Sequence, residues 1–291
     1  MKVLILGATG MLGHKLYQEL GRSFGIYGTV RGGASELEIY GFFSSSKIIG
    51  GVNAGDIESV HRALEIAKPD IVINAIGVVK QIVAENDAAL DEINTSFPQK
   101  LADLTREQGA RLIAISTDCV FSGKKGNYSE SDVPDATDGY GTSKRLGEPT
   151  GSNVLTLRTS IIGRELQTHH GLVEWFLSNR GKTVKGYVNA IFSGFTTRAL
   201  ANVLGRVISR HKDLSGLYHV SADPISKYDL LVALDQAFAT GTTIEPSNDL
   251  VIDRSLDSSA FRAATGWEPP TWDAMISGLA ADPTPYDRWR D

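Results

Sequence analysis

The chain has 291 residues, 42% of them hydrophobic and 22% charged, with a formal net charge of −5 at neutral pH and a single cysteine. That length suits two compact units, the acidic balance offers no basic field for a nucleic acid, and no apolar run approaches the ~18 residues of a membrane span. Cys119 has no intramolecular disulfide partner and the chain opens directly on a strand, so a cytoplasmic protein without nucleic-acid or membrane partners is expected.

Residues 2–6 (KVLIL) form an uninterrupted apolar run, the pattern of a parallel strand buried on both faces. Gly7-Ala8-Thr9-Gly10-Met11-Leu12-Gly13 follows, then a helical pattern through Leu16, Tyr17 and Leu20. Between a first strand and a first helix these glycines have separate tasks. Gly7 permits the tight turn, Gly10 lets backbone amides approach a pyrophosphate, and Gly13 lets helix and strand pack closely. The second strand, around 26–30, ends in Arg31. An acid there would accept hydrogen bonds from ribose hydroxyls, whereas arginine pairs with a 2′-phosphate, so NADP(H) is favoured and NAD(H) is second. Residues 32–55, rich in Gly and Ser, give no assignment. Asp56-Ile57 opens a helix with Asp56 as its N-cap candidate. The buried strand 70–74 then ends in Asn74-Ala75-Ile76-Gly77, small enough for a cofactor to lie against.

A helix is expected from about 88 to 107, with Asn94 on its otherwise apolar face. The next strand, 111–115, delivers Ser116-Thr117-Asp118-Cys119-Val120-Phe121 at its carboxyl end. The polar loop 122–138, with Tyr128 and Glu130, has the length of a lid. Tyr140 and Lys144 follow on one helical face. An ammonium beside a phenol favours the phenolate, and lowering a tyrosine by three units from ~10 takes about 4 kcal/mol. Tyr140 is thus a candidate general acid or base, with Thr117 orienting the reacting oxygen. Cys119, with no histidine nearby in sequence, reads as a packing residue, and the adjacent His169 and His170 lack the spacing of a metal site, so no metal is expected.

Another strand is expected at 153–160, so strands and helices alternate from the start, the doubly wound pattern of a Rossmann-type α/β fold with a parallel sheet. Beyond Gly163 the rhythm breaks into a helix at 172–177, a short strand at 184–188, a helix at 198–209, a strand at 216–220, and helices at 227–239 and from 256. Residues 1–163 and 194–222 are expected to form the NADP-binding unit. A smaller, discontinuous substrate-binding unit is expected from 164–193 and 223–291.

The glycine turn, Ser116-Thr117-Asp118-x-Val120-Phe121, Tyr140-Gly141-x-Ser143-Lys144-x-x-Gly147-Glu148 and Leu157-Arg158-Thr159-Ser160 together resemble the extended short-chain dehydrogenase/reductases, and within them the dTDP-4-dehydrorhamnose reductase family. The resemblance implies reduction of the 4-keto group of a nucleotide-linked deoxysugar by a nicotinamide hydride. It implies that Thr117 and Asp118 contact the sugar, that Tyr140 donates the proton, and that Lys144 holds the nicotinamide ribose. Gly10, Met11 and Leu12 would meet the pyrophosphate, Asp56 and Ile57 the adenine, and Ala75, Ile76 and Gly77 the nicotinamide side. The family usually has an aromatic residue at Cys119 and a tryptophan at Ile161, which marks Ile161 as a substrate-pocket position and leaves the sugar open. An NDP-sugar epimerase holding NAD and a non-catalytic nucleotide-binding subunit are the rival readings. A homodimer through 88–107 and 140–148 is expected by analogy.

Overall fold

The computed structural model describes residues 1–78, 88 and 90–289. Its strands, in chain order, are β1 Lys2–Leu6, β2 Gly25–Thr29, β3 Ile48–Ile49, β4 Ile71–Asn74, β5 Arg111–Thr117, β6 Val154–Thr159, β7 Ile161–Ile162, β8 Thr183–Phe192, β9 Phe195–Thr196, β10 Gly216–His219, β11 Ile225–Ser226 and β12 Thr243–Asp253. Seven of them form one parallel sheet in the order β10-β6-β5-β4-β1-β2-β3. The order reverses direction at β1, and in open α/β sheets ligands bind outside the carboxyl ends at such a switch point.

The apolar runs fill both faces of this sheet. Val3, Ile5, Ile71, Ile73 and Ile113 share a core with Leu12 and Leu16 of the helix Met11–Leu20 and with Leu200 and Leu204 of the helix Thr197–Arg210. Their alternates Leu4, Leu6, Val72 and Leu112 pack with Leu64 of the helix Ile57–Ala67 and Leu101 of the helix Phe97–Glu107. Each such side chain contributes about 1.5–3 kcal/mol on burial, so the sheet is a rigid shelf for whatever stands at its carboxyl edge.

A second sheet, β11-β8-β12, packs on the helix Lys227–Phe238 through Val184, Phe192, Leu230, Leu231 and Leu234. Here the structure departs from expectation. β8 runs ten residues rather than five, and β12 occupies a stretch where no strand was expected. It lies at the sheet's edge, where Pro246 is tolerated, and its register on β8 shifts between Ser247 and Val251. Phe261, Met275 and Tyr286, from the segment expected to belong to the smaller unit, join the core beside the large sheet instead. Residues 32–55 hold 3-10 turns at Ala34–Tyr40 and Ser45–Lys47 before β3. The expected helix at 88–107 begins as a π-type turn, Leu90–Ser96, and becomes α-helical at Phe97, where Pro98 suits the first turn; residues 79–87 and 89 of that region lie outside those described. Among the described residues, no helix is long and apolar enough to cross a membrane.

Candidate active site

The glycine turn is a matter of space. Gly7 sits at φ +81°, and a Cβ there would press on Ile76 Cγ1 at 3.0 Å and Ala75 O at 3.3 Å, so the turn lies directly against the end of β4. A Cβ on Gly13 would fall 2.0 Å from Gly7 O. Gly13→Ala is therefore expected to destabilise the fold, although alanine in a helix is ordinarily better than glycine by about 1 kcal/mol; a higher urea midpoint than wild type would contradict the packing argument. Beyond the turn, Met11 and Leu12 open a helix that has neither a side-chain cap nor an acid in its first turn, which leaves amide donors facing outward.

Arg31, exposed, follows β2 and has no ion-pair partner among the described residues. Val52 N donates to Val30 O, which holds the approach to Asp56 beside that strand end. The Asp56 carboxylate accepts from the amides of Glu58 and Ser59 at 3.1 and 3.3 Å, so it is an N-cap for the helix that Ile57 begins. At β4, Asn74 Oδ1 accepts from Ile76 N at 3.1 Å and Gly77 lies open beside Asn94 and Lys144: a Cβ there would be 3.5 Å from Asn94 Oδ1 and 4.0 Å from Lys144 Nζ. Asn94, fully buried, exchanges hydrogen bonds with the backbone of Val78 (2.9 and 3.0 Å) and donates to Ser143 Oγ at 3.3 Å. It braces the β4 end against the helix Gly139–Leu146, and this is the role of a polar residue on an apolar face.

The register Ser116↔Arg158 and Thr117↔Thr159 brings the end of β5 beside β6. Thr117 Oγ1 accepts from Cys119 N at 3.1 Å, capping the 3-10 turn Asp118–Val120, and donates to Asp118 Oδ1 at 3.2 Å. Asp138 caps the next helix by accepting from Gly141 N at 2.9 Å, and Gly141 packs so tightly that a Cβ would meet Cys119 O at 2.2 Å. This contact seats Tyr140 over the Thr117 turn. Burial raises the Tyr140 phenol above the ordinary tyrosine value, with the neighbouring Cys119 and Asp118 acting in the same direction, while the nearby Thr117 hydroxyl offsets part of the rise. Lys144 Nζ donates to Ile115 O at 3.0 Å, and burial lowers its pKa to about 8 against the opposing pull of Glu148. The expectation that Lys144 makes the phenol more acidic thus meets a different geometry. The ammonium bonds to the β5 backbone next to Gly77, and the phenol stays firmly protonated.

Behind these residues lies a buried polar chain. Ser116 Oγ donates to Glu148 Oε1 at 2.7 Å, Glu148 takes a two-pronged ion pair from Arg158 at 2.7 Å for each arm, and Arg158 Nη1 meets His219 Nε2 at 3.2 Å. His219 bonds onward to Tyr128 O through Nδ1 at 2.8 Å, and its amide donates to Glu130 Oε1 at 2.7 Å. The loop 122–138 is consequently fastened rather than free to act as a lid. Tyr128 is 3% exposed, stacks on Phe121 at 4.2 Å, and its backbone bonds to Ser255 and Asp257.

Two cations from the second sheet complete the site, and neither carried a signal in sequence. Arg254, just past β12, donates to Phe121 O at 2.8 Å and reaches Asp138 Oδ2 at 4.0 Å. Lys227, opening its helix, lies 4.2 Å from the Phe192 ring centre, and both cations pull on the Asp118 carboxyl, which burial raises above the usual carboxylate range. The Cys119 thiol is pushed up to about 12 by burial and by Asp118, so it is no thiolate nucleophile. Ile161 stands in β7, paired with Phe195 and packed against the main core. Among the described residues, no cluster of three or more His, Cys, Asp or Glu has the arrangement to hold a metal ion.

The chain is similar to known proteins. A dTDP-4-dehydrorhamnose reductase of Burkholderia thailandensis is 35% identical over 166 residues, 55% of this chain and 50% of its own length. The methionine adenosyltransferase 2 subunit beta of Mus musculus is 32% identical over 148 residues, 50% of this chain and 41% of its own, so the chain spans about half the length of these curated relatives. The crystal structure of a dTDP-4-dehydrorhamnose reductase from Bacillus anthracis in complex with NADP superposes with a TM-score of 0.78 at 22% identity, covering 96% of this chain and 98% of that one, a likeness of fold. Residues 1–281 match the RmlD substrate binding domain family, and the chain belongs to that family, within the extended short-chain dehydrogenase/reductases.

Proposed function

We propose that this protein reduces the 4-keto group of a nucleotide-linked deoxysugar, with NADP(H) preferred over NAD(H). The observation that carries the reading is the position of Lys144, whose ammonium is fixed on Ile115 O within reach of the Gly77 ledge, on the same helix as the Tyr140 phenol that overhangs Thr117. A dinucleotide fits the chain's own residues. The positive φ of Gly7, the uncapped helix start at Met11 and the bare Gly77 leave room and donors, and Arg31 supplies a cation where a 2′-phosphate would lie. The NADP complex of the Bacillus anthracis relative supports the same choice.

Bound reduced nicotinamide supplies the hydride. The protein's part is to hold the sugar carbonyl against Thr117, to give the Tyr140 phenolic proton to the 4-oxygen, and to keep Lys144 charged beside the cofactor ribose. Asp118, Arg254 and Lys227 line the substrate side, with Ile161 at its margin, so that residues 1–163 and 194–222 serve the cofactor and most of 164–193 and 223–291 the nucleotide sugar. The exposed Leu146 (59%), on the catalytic helix, suits a homodimer through 88–107 and 140–148. The setting is the cytoplasm.

Because the Lys144 ammonium is lost as pH rises through about 8, kcat/KM is expected to fall above that pH by about tenfold per unit, as one required proton is lost. A flat profile to the alkaline end would remove Lys144 from the mechanism. Function itself is tested by mixing enzyme, NADPH and a panel of NDP-4-keto sugars and following absorbance of the reduced cofactor. Loss of NADPH with one donor is expected, and no loss with any would sink the reductase reading. An epimerase would instead carry tight NAD⁺ through purification and turn sugar over without consuming NADPH. The convergence of Thr117, Tyr140 and Lys144 weighs against the rival reading of a non-catalytic nucleotide-binding subunit.

A further inference from the structure

The family match ends at residue 281, and residues 282–289 fold back onto the cofactor side of the molecule. We propose that this segment, 282–289, is a strap that positions the dinucleotide turn, with Tyr286 acting through His14 on the carbonyl of Gly10. The proposal rests on the reading of residues 7–13 as a cofactor turn.

The connection is a chain of hydrogen bonds, with Asp282 Oδ2 a longer second acceptor at 3.4 Å from the Tyr286 hydroxyl. Tyr286 OH lies 2.8 Å from His14 Nε2, and His14 Nδ1 lies 2.9 Å from Gly10 O. A carbonyl only accepts, so Nδ1 carries the proton, Nε2 is the acceptor, and the Tyr286 hydroxyl donates to it. Gly10 O also accepts from His14 N at 3.1 Å, so both of its lone pairs are engaged and the peptide plane on which the turn pivots is locked. His14 is 0% and Tyr286 3% exposed; burial holds the imidazole neutral, its pKa lowered to about 4, so the pattern persists across the working pH range.

The rest of the strap is built to keep that phenol in place. Lys15, 2% exposed, pairs with Asp282 at 2.5 Å, and Arg164 lies 4.8 Å from the Tyr286 ring centre while donating to Asp287 at 2.6 Å. Further along, Trp289 Nε1 donates to Ile39 O at 3.1 Å and the indole packs edge-on against Tyr40 at 4.9 Å. The strap therefore touches the helix that carries His14, through which it reaches Gly10, and the 3-10 segment that follows Arg31. A merely structural tail would need the burial but not a donor aimed at the one histidine that holds Gly10.

Tyr286→Phe keeps the ring and its packing and deletes the donor. The dissociation constant for NADPH, measured by titration of nicotinamide fluorescence, is expected to rise about tenfold, the scale of losing one buried hydrogen bond, while kcat at saturating NADPH stays within about twofold. Ile276→Val, in the core of the second sheet, is the control for lost stability, and its NADPH affinity is expected to equal that of wild type. Wild-type NADPH affinity in Tyr286→Phe would overturn the proposal, as would an equal loss of affinity in Ile276→Val. If the wild-type protein binds neither NADPH nor NADH, the cofactor reading falls and the strap's role with it.

Discussion

Tyr140→Phe is expected to lower kcat by about 10²- to 10⁴-fold, the usual contribution of a positioned general acid, with little change in the affinity for NADPH or in melting temperature. The ring stays, so the packing of the helix Gly139–Leu146 on the Thr117 turn stays with it. The proton is what disappears. Burial and the neighbouring Cys119 and Asp118 raise the phenol above the ordinary tyrosine value, so throughout the neutral range it is fully protonated and stands ready to donate. Rate constants within about threefold of wild type would show that the proton comes from elsewhere. Steady-state kinetics with saturating NADPH reads the effect directly, and thermal unfolding beside it separates chemistry from folding.

The largest effect on stability is expected at Glu148. Its side chain is 11% exposed and that of Arg158 6%, and the pair is joined by two bonds of 2.7 Å with Ser116 on one side and His219 on the other. Glu148→Ala leaves the guanidinium buried without its counter-charge, a change that costs about 3–5 kcal/mol when one partner of such a pair is removed. Urea unfolding measures it; a loss below about 1 kcal/mol would mean that water replaces the carboxylate. Glu148→Gln, milder in packing, carries a functional signature. The Glu148 anion raises the Lys144 pKa, so without it the ammonium deprotonates at lower pH and the alkaline limb of the rate profile moves down.

The first part of this molecule was legible because its strands are buried on both faces and therefore read as unbroken apolar runs, and because each glycine in the 7–13 turn answers a steric demand that no side chain could meet. Tyr140, Lys144 and Thr117 were found through local spacing, which a helix and a strand end turn into proximity. Other residues depend on distant contacts. β12 carries Pro246, Asn248 and Asp249 in its middle and exposes most of its length, so it shows no alternation. It is a strand because β8 pairs with it. Arg254 and Lys227 reach Asp118 from segments more than a hundred residues away, and His14 meets Tyr286 across a separation of 272 residues. The loop 122–138 hides its packing for a related reason: its composition is polar, yet Tyr128 is driven into the space beside Phe121. Lys144 shows the limit of periodicity, since the i, i+4 spacing put it on the face of Tyr140 but its ammonium donates to the Ile115 carbonyl instead.

The proposed reaction is a net reduction at C4 that consumes one nicotinamide per sugar. NADPH deuterated at the transferring position, incubated with the protein and an NDP-4-keto-6-deoxysugar, should yield a 4-hydroxy product carrying deuterium at C4, with stoichiometric loss of the reduced cofactor. Turnover of the sugar without label and without loss of NADPH would contradict it.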